Sequence, residues 1–225
     1  MPLSKRLSSI CLLLDHEADI ADIGADHGEV VKYIALRNPN NSFLAIENKL
    51  GPFKRLRNNL LNCQNATCLL SDGLKDVSSN YAEIVIAGMG GENIISIIKR
   101  SIEKIMFINA FIIDAHSDFD KVYNFLFSLN FKIDKSIFVY ENNKAYLIAK
   151  FIKNSTKQVT VNSHFMFYEI DSSSEEYLHL LKSRLENELS LYLESIKDKI
   201  LIIDENAIRK FLLLERIRRR LLNEN

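Results

Sequence analysis

Apolar residues in the first two thirds of the chain form short continuous runs that alternate with stretches of helical periodicity. Runs typical of buried strands occupy residues 18–24, 42–47, 66–71, 83–87 and 110–114. Between them, apolar positions three and four residues apart predict helices at 30–36, 52–62, 93–102 and 119–129, and another amphipathic helix opens the chain. Strands that alternate with helices of this length favour parallel βαβ units, and therefore an α/β fold.

The pattern changes twice towards the C-terminus. Two further strands, at 132–140 and 145–151, flank a short polar turn and predict an antiparallel hairpin at one edge of the sheet. From about residue 171, apolar residues repeat at spacings of three and four, as in a coiled-coil seam: Leu178, Leu181, Leu185, Leu189, Tyr192 and Ile196. A second helix is expected from about Asp204. We therefore expect one domain at 1–154 and a C-terminal helical hairpin at 171–225, with self-association as the alternative use of the seam.

Composition and charge narrow the class of protein. The 29 basic residues balance the 29 acidic ones, so the overall charge does not indicate a nucleic-acid-binding domain, although local clusters remain open. No apolar stretch reaches the roughly 18 residues of a membrane span, and the three cysteines lack the spacing of a zinc site. We expect a cytoplasmic protein without a metal and without a membrane partner.

The loop after the first strand carries the first candidate chemistry. In a doubly wound sheet, ligands bind outside the carboxyl ends of the strands, where this chain places Asp22, Gly24, Asp26 and His27. A dinucleotide fingerprint would have glycine at the position of Asp26, and a carboxylate there would repel a pyrophosphate. S-adenosylmethionine has no phosphate and carries a positive sulfonium and ammonium. The acidic loop therefore favours that cofactor over NAD or FAD.

Three further strand ends carry similar signals. Glu47 follows Gly24 by 23 residues, the place where an acid commonly accepts hydrogen bonds from ribose hydroxyls. Asp72 offers an acceptor for an adenine amino group, and Gly73 permits the turn. The fourth end, at 87–91, has three glycines and predicts a close approach of backbone to a ligand. A turn or a surface acid would explain each signal alone, but their order along successive strands favours a cofactor site.

Basic residues are locally clustered although the total charge is zero. Clusters of this kind contact nucleic-acid phosphates without reading sequence, and ordinary solvated charge is the alternative. The candidates for RNA contact are Lys5, Arg6, Lys54, Arg55, Arg57, Arg218, Arg219 and Arg220.

Taken together, several motifs resemble the TrmK family of bacterial tRNA (adenine-N1)-methyltransferases, which modify adenine 22 of tRNA. The motifs are LSKRL from Leu3, DIGADH from Asp22, Glu47 followed by GPF, SDGL from Ser71, and IAGMGG from Ile86. The resemblance covers residues 3–150, and its most specific element is the combination of the AGMGG and DIGADH loops. It implies a Rossmann-like class I methyltransferase sheet, S-adenosylmethionine as cofactor, tRNA as partner and a C-terminal coiled coil.

The resemblance and the loop chemistry together give the predicted site. We expect cofactor contacts from Asp22, Gly24, Asp26, His27, Glu47, Asp72, Gly73, Ala87 and Gly88. Asp26 is the first candidate for the carboxylate near the transferred methyl group, with Gly88 and Met89 as one wall of the catalytic slot. One segment departs from the family: Ile113, Asp114, Ala115 and His116 stand where Leu-Gln-Pro-Asn is usual. A non-catalytic RNA-binding relative, or a class I methyltransferase with another substrate, therefore remains an alternative.

Overall fold

The computed structural model describes residues 3–142, 144–154, 201–202 and 205–223, together with residues 179, 182, 183, 185–187 and 190. The described strands are, in chain order, β1 (Ile20–Ile23), β2 (Phe43–Glu47), β3 (Ala66–Leu70), β4 (Glu83–Gly90), β5 (Ala110–Ser117), β6 (Phe131–Glu141), β7 (Lys144–Lys153) and β8 (Leu201–Ile202). The described helices are α1 (Lys5–Leu13), α2 (Glu29–Ala35), α3 (Leu50–Asn59), α4 (Gly91–Lys99), α5 (Phe119–Ser128) and α6 (Glu205–Asn223), with a 3-10 helix at Ile102–Met106.

The described strands form one mixed sheet in the order β3-β2-β1-β4-β5-β7-β6-β8. Strands β1 to β5 run parallel, and β7 pairs antiparallel with both β5 and β6. The predicted hairpin is therefore confirmed, with β8 as an additional short strand outside it. Because β1 and β2 lie inside the sheet and are covered on both faces, every residue in them is buried, which explains their continuous apolar sequence.

Two apolar layers cover the faces of the sheet. On one face, α1, α2 and α3 pack over residues such as Ile20, Phe43 and Val85. On the other, α4 and α5 cover the opposite side chains of the same strands. Helix α4 buries Ile94 and Ile98 on one stripe, the spacing from which the helix was predicted. The Rossmann-like α/β arrangement expected from the sequence is confirmed.

Helix α6 matches the second helix expected in the C-terminal hairpin. Its residues Leu212, Leu214 and Ile217 are buried in the same apolar layer as α4 and α5, so α6 shares a core with the sheet. Of the predicted coiled-coil stripe, Leu185 is described and is buried in that layer. The other positions lie outside the described residues: Leu178, Leu181, Leu189, Tyr192 and Ile196. The hairpin and the 171–225 domain boundary stay predictions.

Several boundaries differ from those predicted, and three of these differences have local physical reasons. Helix α3 begins at Leu50, before the predicted start at Pro52, because proline is tolerated in the first turn of a helix. Strands β4 and β5 continue to Gly90 and Ser117, since their pairing resumes beyond an irregularity around Gly88. No helix in the described part of the chain is long and apolar enough to span a membrane.

Candidate active site

The loop between β1 and α2 is folded tightly against β2. The backbone amides of Gly24 and Ala25 both donate to the carbonyl oxygen of Ile46, at 2.8 and 2.9 Å. Three positions of the loop have positive φ: Gly24 at 74°, Asp26 at 47° and Gly28 at 67°. These left-handed residues turn the chain sharply into α2, so the loop lies at the carboxyl end of β1 as predicted.

Asp22 lies in β1, directly before this loop, and its side chain is buried. The residue is 5% exposed, and none of the described residues forms a hydrogen bond or ion pair with its carboxyl group. Burial raises the pKa of Asp22 to about 7. A buried carboxyl group whose pKa lies near neutrality can become a carboxylate when a cation approaches, which is a suitable property for a site that receives a positively charged ligand.

Glu47 and Asp72 follow at the next two strand ends, but their surroundings differ. Glu47 is 7% exposed, and its Oε1 accepts a hydrogen bond of 2.9 Å from the backbone amide of Lys49. Asp72 is largely exposed, and its Oδ1 lies 3.1 Å from the guanidinium of Arg100. Gly73 has φ at 61°, which favours glycine, and a Cβ atom there would stand a tight 3.0 Å from Cγ2 of Ile97. The hydrogen bond therefore fixes the carboxyl group of Glu47, whereas the carboxylate of Asp72 already forms an ion pair with Arg100.

The glycine-rich segment at the end of β4 faces the loop after β1. Gly88 has φ at 77°, and the pairing of β4 with β5 shifts between Ala87 and Met89. A Cβ atom at Gly24 would stand 2.3 Å from the methyl carbon of Met89, so these two predicted site residues face each other. A Cβ atom at Gly91 would stand 2.6 Å from the carbonyl oxygen of Asp118. Glycine at Gly24 and Gly91 is thus explained by close approach of other groups.

Asp26 and His27 project outwards from the same loop. The Asp26 carboxylate is 59% exposed and lies 3.7 Å from His27 Nε2 and 3.9 Å from Arg55 Nη2. This geometry suits an ion pair between the loop and α3. The role of Asp26 beside a reactive methyl group stays a prediction, and the ion pair with Arg55 is the competing explanation.

The predicted RNA contacts have different environments. Lys54, Arg55 and Arg57 are found on α3, next to the loops described above. In the C-terminal cluster, Arg218 donates to Glu186 Oε1 at 2.8 and 3.2 Å. Arg219 is ion-paired with two carboxylates at the start of α5, one at its N-cap and one in its first turn. The α3 cluster therefore offers more accessible positive charge than these two arginines do.

Sequence reasoning missed one polar cluster, formed where β5 ends. Arg6 of α1 is ion-paired with Asp114, which is completely buried, and Arg6 Nη1 lies 3.5 Å from His116 Nε2. Arg6 also lies over the ring of Tyr146, 5.5 Å from its centroid. The sequence signal was an acid directly after four apolar residues of a buried strand. The cluster brings together α1, β5 and β7 beside Gly88.

Comparison with known proteins gives three kinds of match. A family model described as a methyltransferase domain matches residues 3–149. A Mycoplasma genitalium protein, provisionally named a tRNA methyltransferase, is 34% identical over 137 residues, which are 57% of this chain and 59% of that protein. The tRNA (adenine(22)-N(1))-methyltransferase of Bacillus subtilis is 26% identical over 151 residues, 65% of this chain and 63% of the relative. The chain thus spans about three fifths of the length of these curated relatives.

The fold also matches a solved structure of the same kind. M. capricolum TrmK, in complex with S-adenosyl-homocysteine, superposes with a TM-score of 0.64 at 24% identity, and the match covers 97% of each chain. The names of these relatives agree with the resemblance seen in the sequence motifs, and the structural neighbour shows that the fold is shared.

Proposed function

Because the chain belongs to the family of methyltransferase domains, we propose that it transfers a methyl group from S-adenosylmethionine to N1 of an adenine in tRNA, at position 22. The observation that carries the proposal is the ordered series of acids and glycines at the ends of β1, β2, β3 and β4. The names of the B. subtilis and M. genitalium relatives support the substrate class. Since tRNA is the proposed substrate, we also propose that the protein acts in the cytoplasm.

The residues at the strand ends fit the proposed cofactor in charge and in space. A pyrophosphate site needs backbone amides without a carboxylate beside them, whereas the loop after β1 carries the carboxyl group of Asp26 and adjoins that of Asp22. Glu47 and Asp72 add further acceptors at the next two strand ends. The molecule to be bound has two positive groups and two ribose hydroxyls, which match carboxylate acceptors. The glycines at positions 24 and 88 keep side chains out of the space between the two loops. We assign the ribose to Glu47 and the cationic part of the cofactor to the Asp22 loop.

The proposed chemistry requires orientation and charge compensation more than proton transfer. When bound, S-adenosylmethionine supplies a methyl group on a sulfonium, and the N1 lone pair of adenine takes that carbon while sulfur keeps the electrons of the broken bond. The protein therefore needs no general base to generate the nucleophile. Its tasks are to align the base with the methyl group and to stabilise a ring that becomes positive. We assign the alignment to Gly88 and Met89, and the nearby negative charge to Asp26.

Access to N1 requires that the adenine leave its place in the folded tRNA. The N1 edge is paired or stacked within RNA, so the target base has to be turned out towards the protein. The cluster Lys54, Arg55 and Arg57 on α3 adjoins the cofactor loops and is our proposed contact for the flanking phosphates. The C-terminal arginines are proposed as a secondary contact, because carboxylates already compensate the charge of Arg218 and Arg219.

The proposal is tested by methyl transfer from labelled S-adenosylmethionine to unmodified tRNA, followed by mapping of the modified nucleoside. We expect 1-methyladenosine at position 22, and no product from a tRNA in which that adenine is replaced by guanine. A protein that binds tRNA without consuming the cofactor would be a non-catalytic RNA-binding relative. Methylation of small molecules but not of tRNA would identify a class I methyltransferase with another substrate.

The RNA-binding surface is tested by the salt dependence of binding. Replacing Lys54 and Arg57 with alanine should weaken tRNA binding and lower the slope of log affinity against log salt by about one for each phosphate that the variant no longer neutralises. The matched control is Arg37→Ala, an exposed arginine near the far end of α2, which should leave the slope unchanged. An unchanged salt dependence of tRNA binding in the double variant would show that α3 does not contact the RNA.

A further inference from the structure

Helix α1 packs against β5, β6 and β7. Ser4 caps the helix by accepting a hydrogen bond of 3.3 Å from the Leu7 amide. The Lys5 amide donates to Glu141 Oε1 of β6 at 2.7 Å. These contacts place Arg6, in the first turn of α1, beside the end of β5. Arg6 is thus brought next to Gly88 in the glycine-rich segment at the end of β4.

Asp114 holds Arg6 in this position. Its Oδ2 is ion-paired with Arg6 Nη1, and the Arg6 side chain is 21% exposed. The other oxygen, Oδ1, is buried and has no hydrogen-bond partner of regular geometry among the described residues. Burial raises the pKa of Asp114, while Arg6 lowers it. The backbone of Gly88 lowers this pKa as well. A buried acid held by one arginine and by the backbone of a distant loop is costly for a fold, so a role beyond packing is indicated.

Arg6 is surrounded on its open side by two rings. Tyr146 of β7 lies under the guanidinium, 5.5 Å from it, and His116 lies 5.7 Å from the Tyr146 ring between centroids. A Cβ atom at Gly88 would stand 3.8 Å from Arg6 Nη1 and 4.0 Å from His116 Cε1. The space over the Gly88 backbone is therefore bounded by a guanidinium and an imidazole, with a phenol ring behind them.

These groups have the chemistry that holds an unstacked nucleobase. Aromatic rings and arginine planes stack on bases, and stacking is sequence-tolerant because every base has a flat π-face. A free arginine beside a purine that becomes positive during methylation would oppose the reaction. In this cluster the Asp114 carboxylate compensates the charge of Arg6, so the guanidinium can contribute its plane without adding net positive charge.

We propose that Arg6, His116 and Tyr146 form the seat of the turned-out target base, and that Asp114 is the positioning residue that fixes Arg6 in it. The inference rests on the proposed function and deepens it, because it names the residues that receive the base. It also gives a use to the segment in which this chain departs from the family, since Asp114 and His116 both lie there.

The test combines steady-state methylation kinetics with cofactor calorimetry on full-length variants. Tyr146→Leu, His116→Ala and Arg6→Ala should each lower kcat/KM for tRNA by about tenfold to a hundredfold, the range expected when one stacking interaction with a base is removed. Because Arg6→Ala also leaves the buried Asp114 without its partner, its kinetics are measured below the melting temperature of the variant. Their affinity for S-adenosylmethionine should stay within about twofold of the wild type, because the seat lies beside the cofactor loops and not in them. Tyr146→Phe keeps the ring and should retain most of the activity.

A double-mutant cycle tests the role assigned to Asp114. If Asp114 acts through Arg6, Asp114→Asn should lower kcat/KM in the wild type but add little in the Arg6→Ala background. Arg37→Ala is the matched control, because Arg37 also lies over a tyrosine ring, that of Tyr33, at 3.6 Å and away from the strand ends. Melting curves of all variants report whether a loss of activity is a loss of fold.

The possible failures are distinguishable. Wild-type protein that methylates no adenine in tRNA would overturn the proposed function and this inference with it. Active wild type with unimpaired Tyr146→Leu and Arg6→Ala variants would overturn the base seat alone. Additive losses from Asp114→Asn and Arg6→Ala would show that Asp114 does not act through Arg6. If Asp114→Asn fails to fold, Arg6→Lys, which loses the planar guanidinium, should still show the loss in kcat/KM with a normal melting curve.

Discussion

Replacing Asp22 with asparagine should remove a loss of folding stability that the wild type undergoes as the pH rises. Burial raises the pKa of this carboxyl group from 3.8 to about 7 in the folded protein. Between these two values the folded state therefore holds a proton that the unfolded state has released. The free energy of unfolding of the wild type should fall as the pH rises through this window and level off above it.

The size of the effect follows from the two pKa values. At 1.36 kcal/mol for each pKa unit, the full penalty above pH 7 is at most about 4 kcal/mol. Within a practical range, from about pH 5.5 to about pH 8, the difference in stability between Asp22→Asn and wild type should grow by about 2 kcal/mol in favour of the variant. Water that enters between the loops would reduce this figure, so it is an upper value.

Urea unfolding at several pH values, without cofactor, measures this difference directly. Asp26→Asn is the matched control, because it removes a carboxyl group from the same loop but an exposed one, and its pH profile should follow the wild type. A parallel pH dependence for Asp22→Asn and wild type would refute the reasoning. With S-adenosylmethionine added, the wild type should be stabilised more than Asp22→Asn, because the positive charge of the cofactor stabilises the ionised carboxylate of Asp22.

Four further substitutions test other parts of the site and fold. Glu47→Ala should weaken S-adenosylmethionine binding by about 1–3 kcal/mol in calorimetry, the cost of an unpaired polar group, and unchanged affinity would exclude it from the site. Asp26→Ala should sharply lower methyl transfer at an unchanged melting temperature, and near-normal turnover would leave only its ion pair as a role. Arg219→Met strands the buried Asp120 and should destabilise the fold by about 3–5 kcal/mol. Arg218→Met, with its more exposed partner, should cost under about 1 kcal/mol, and equal losses would contradict this distinction.

The parts of the fold that local pattern determines were predictable from sequence. The runs that became β1 and β2 are apolar throughout because both faces of those strands are covered, and the Ile spacing in α4 reflects one buried stripe. That the acids and glycines at the strand ends would lie close together was predictable, because parallel strands bring their carboxyl ends to one edge of the sheet. Strand β8 was not, since its two residues pair only because β6 is already placed beside them.

The polar contacts that complete the site depend on distant residues, and no local pattern encodes them. Arg6 and Asp114 are 108 positions apart in sequence. The first was therefore interpreted as a phosphate contact, and the second as part of a departure from the family near the target base. Likewise, Arg219 belongs to a basic run, but its partner Asp118 is 101 positions away. A charge cluster in sequence therefore predicts free charge only when the fold brings no opposite charge to it.

The position of Arg219 links the C-terminal helix to the proposed catalytic loop. Asp118 accepts a hydrogen bond of 2.9 Å from Arg219. The backbone carbonyl of Asp118 lies close to Gly91, the first residue of α4, which ends the glycine-rich segment. Helix α6 also buries Ile217 in the core beneath α4 and α5. Removing the C-terminal segment would therefore expose the core and at the same time release a contact to the glycine-rich segment. A loss of tRNA binding after truncation would not separate RNA contact from folding, whereas substitutions at exposed side chains on α3 and α6 keep the two effects apart.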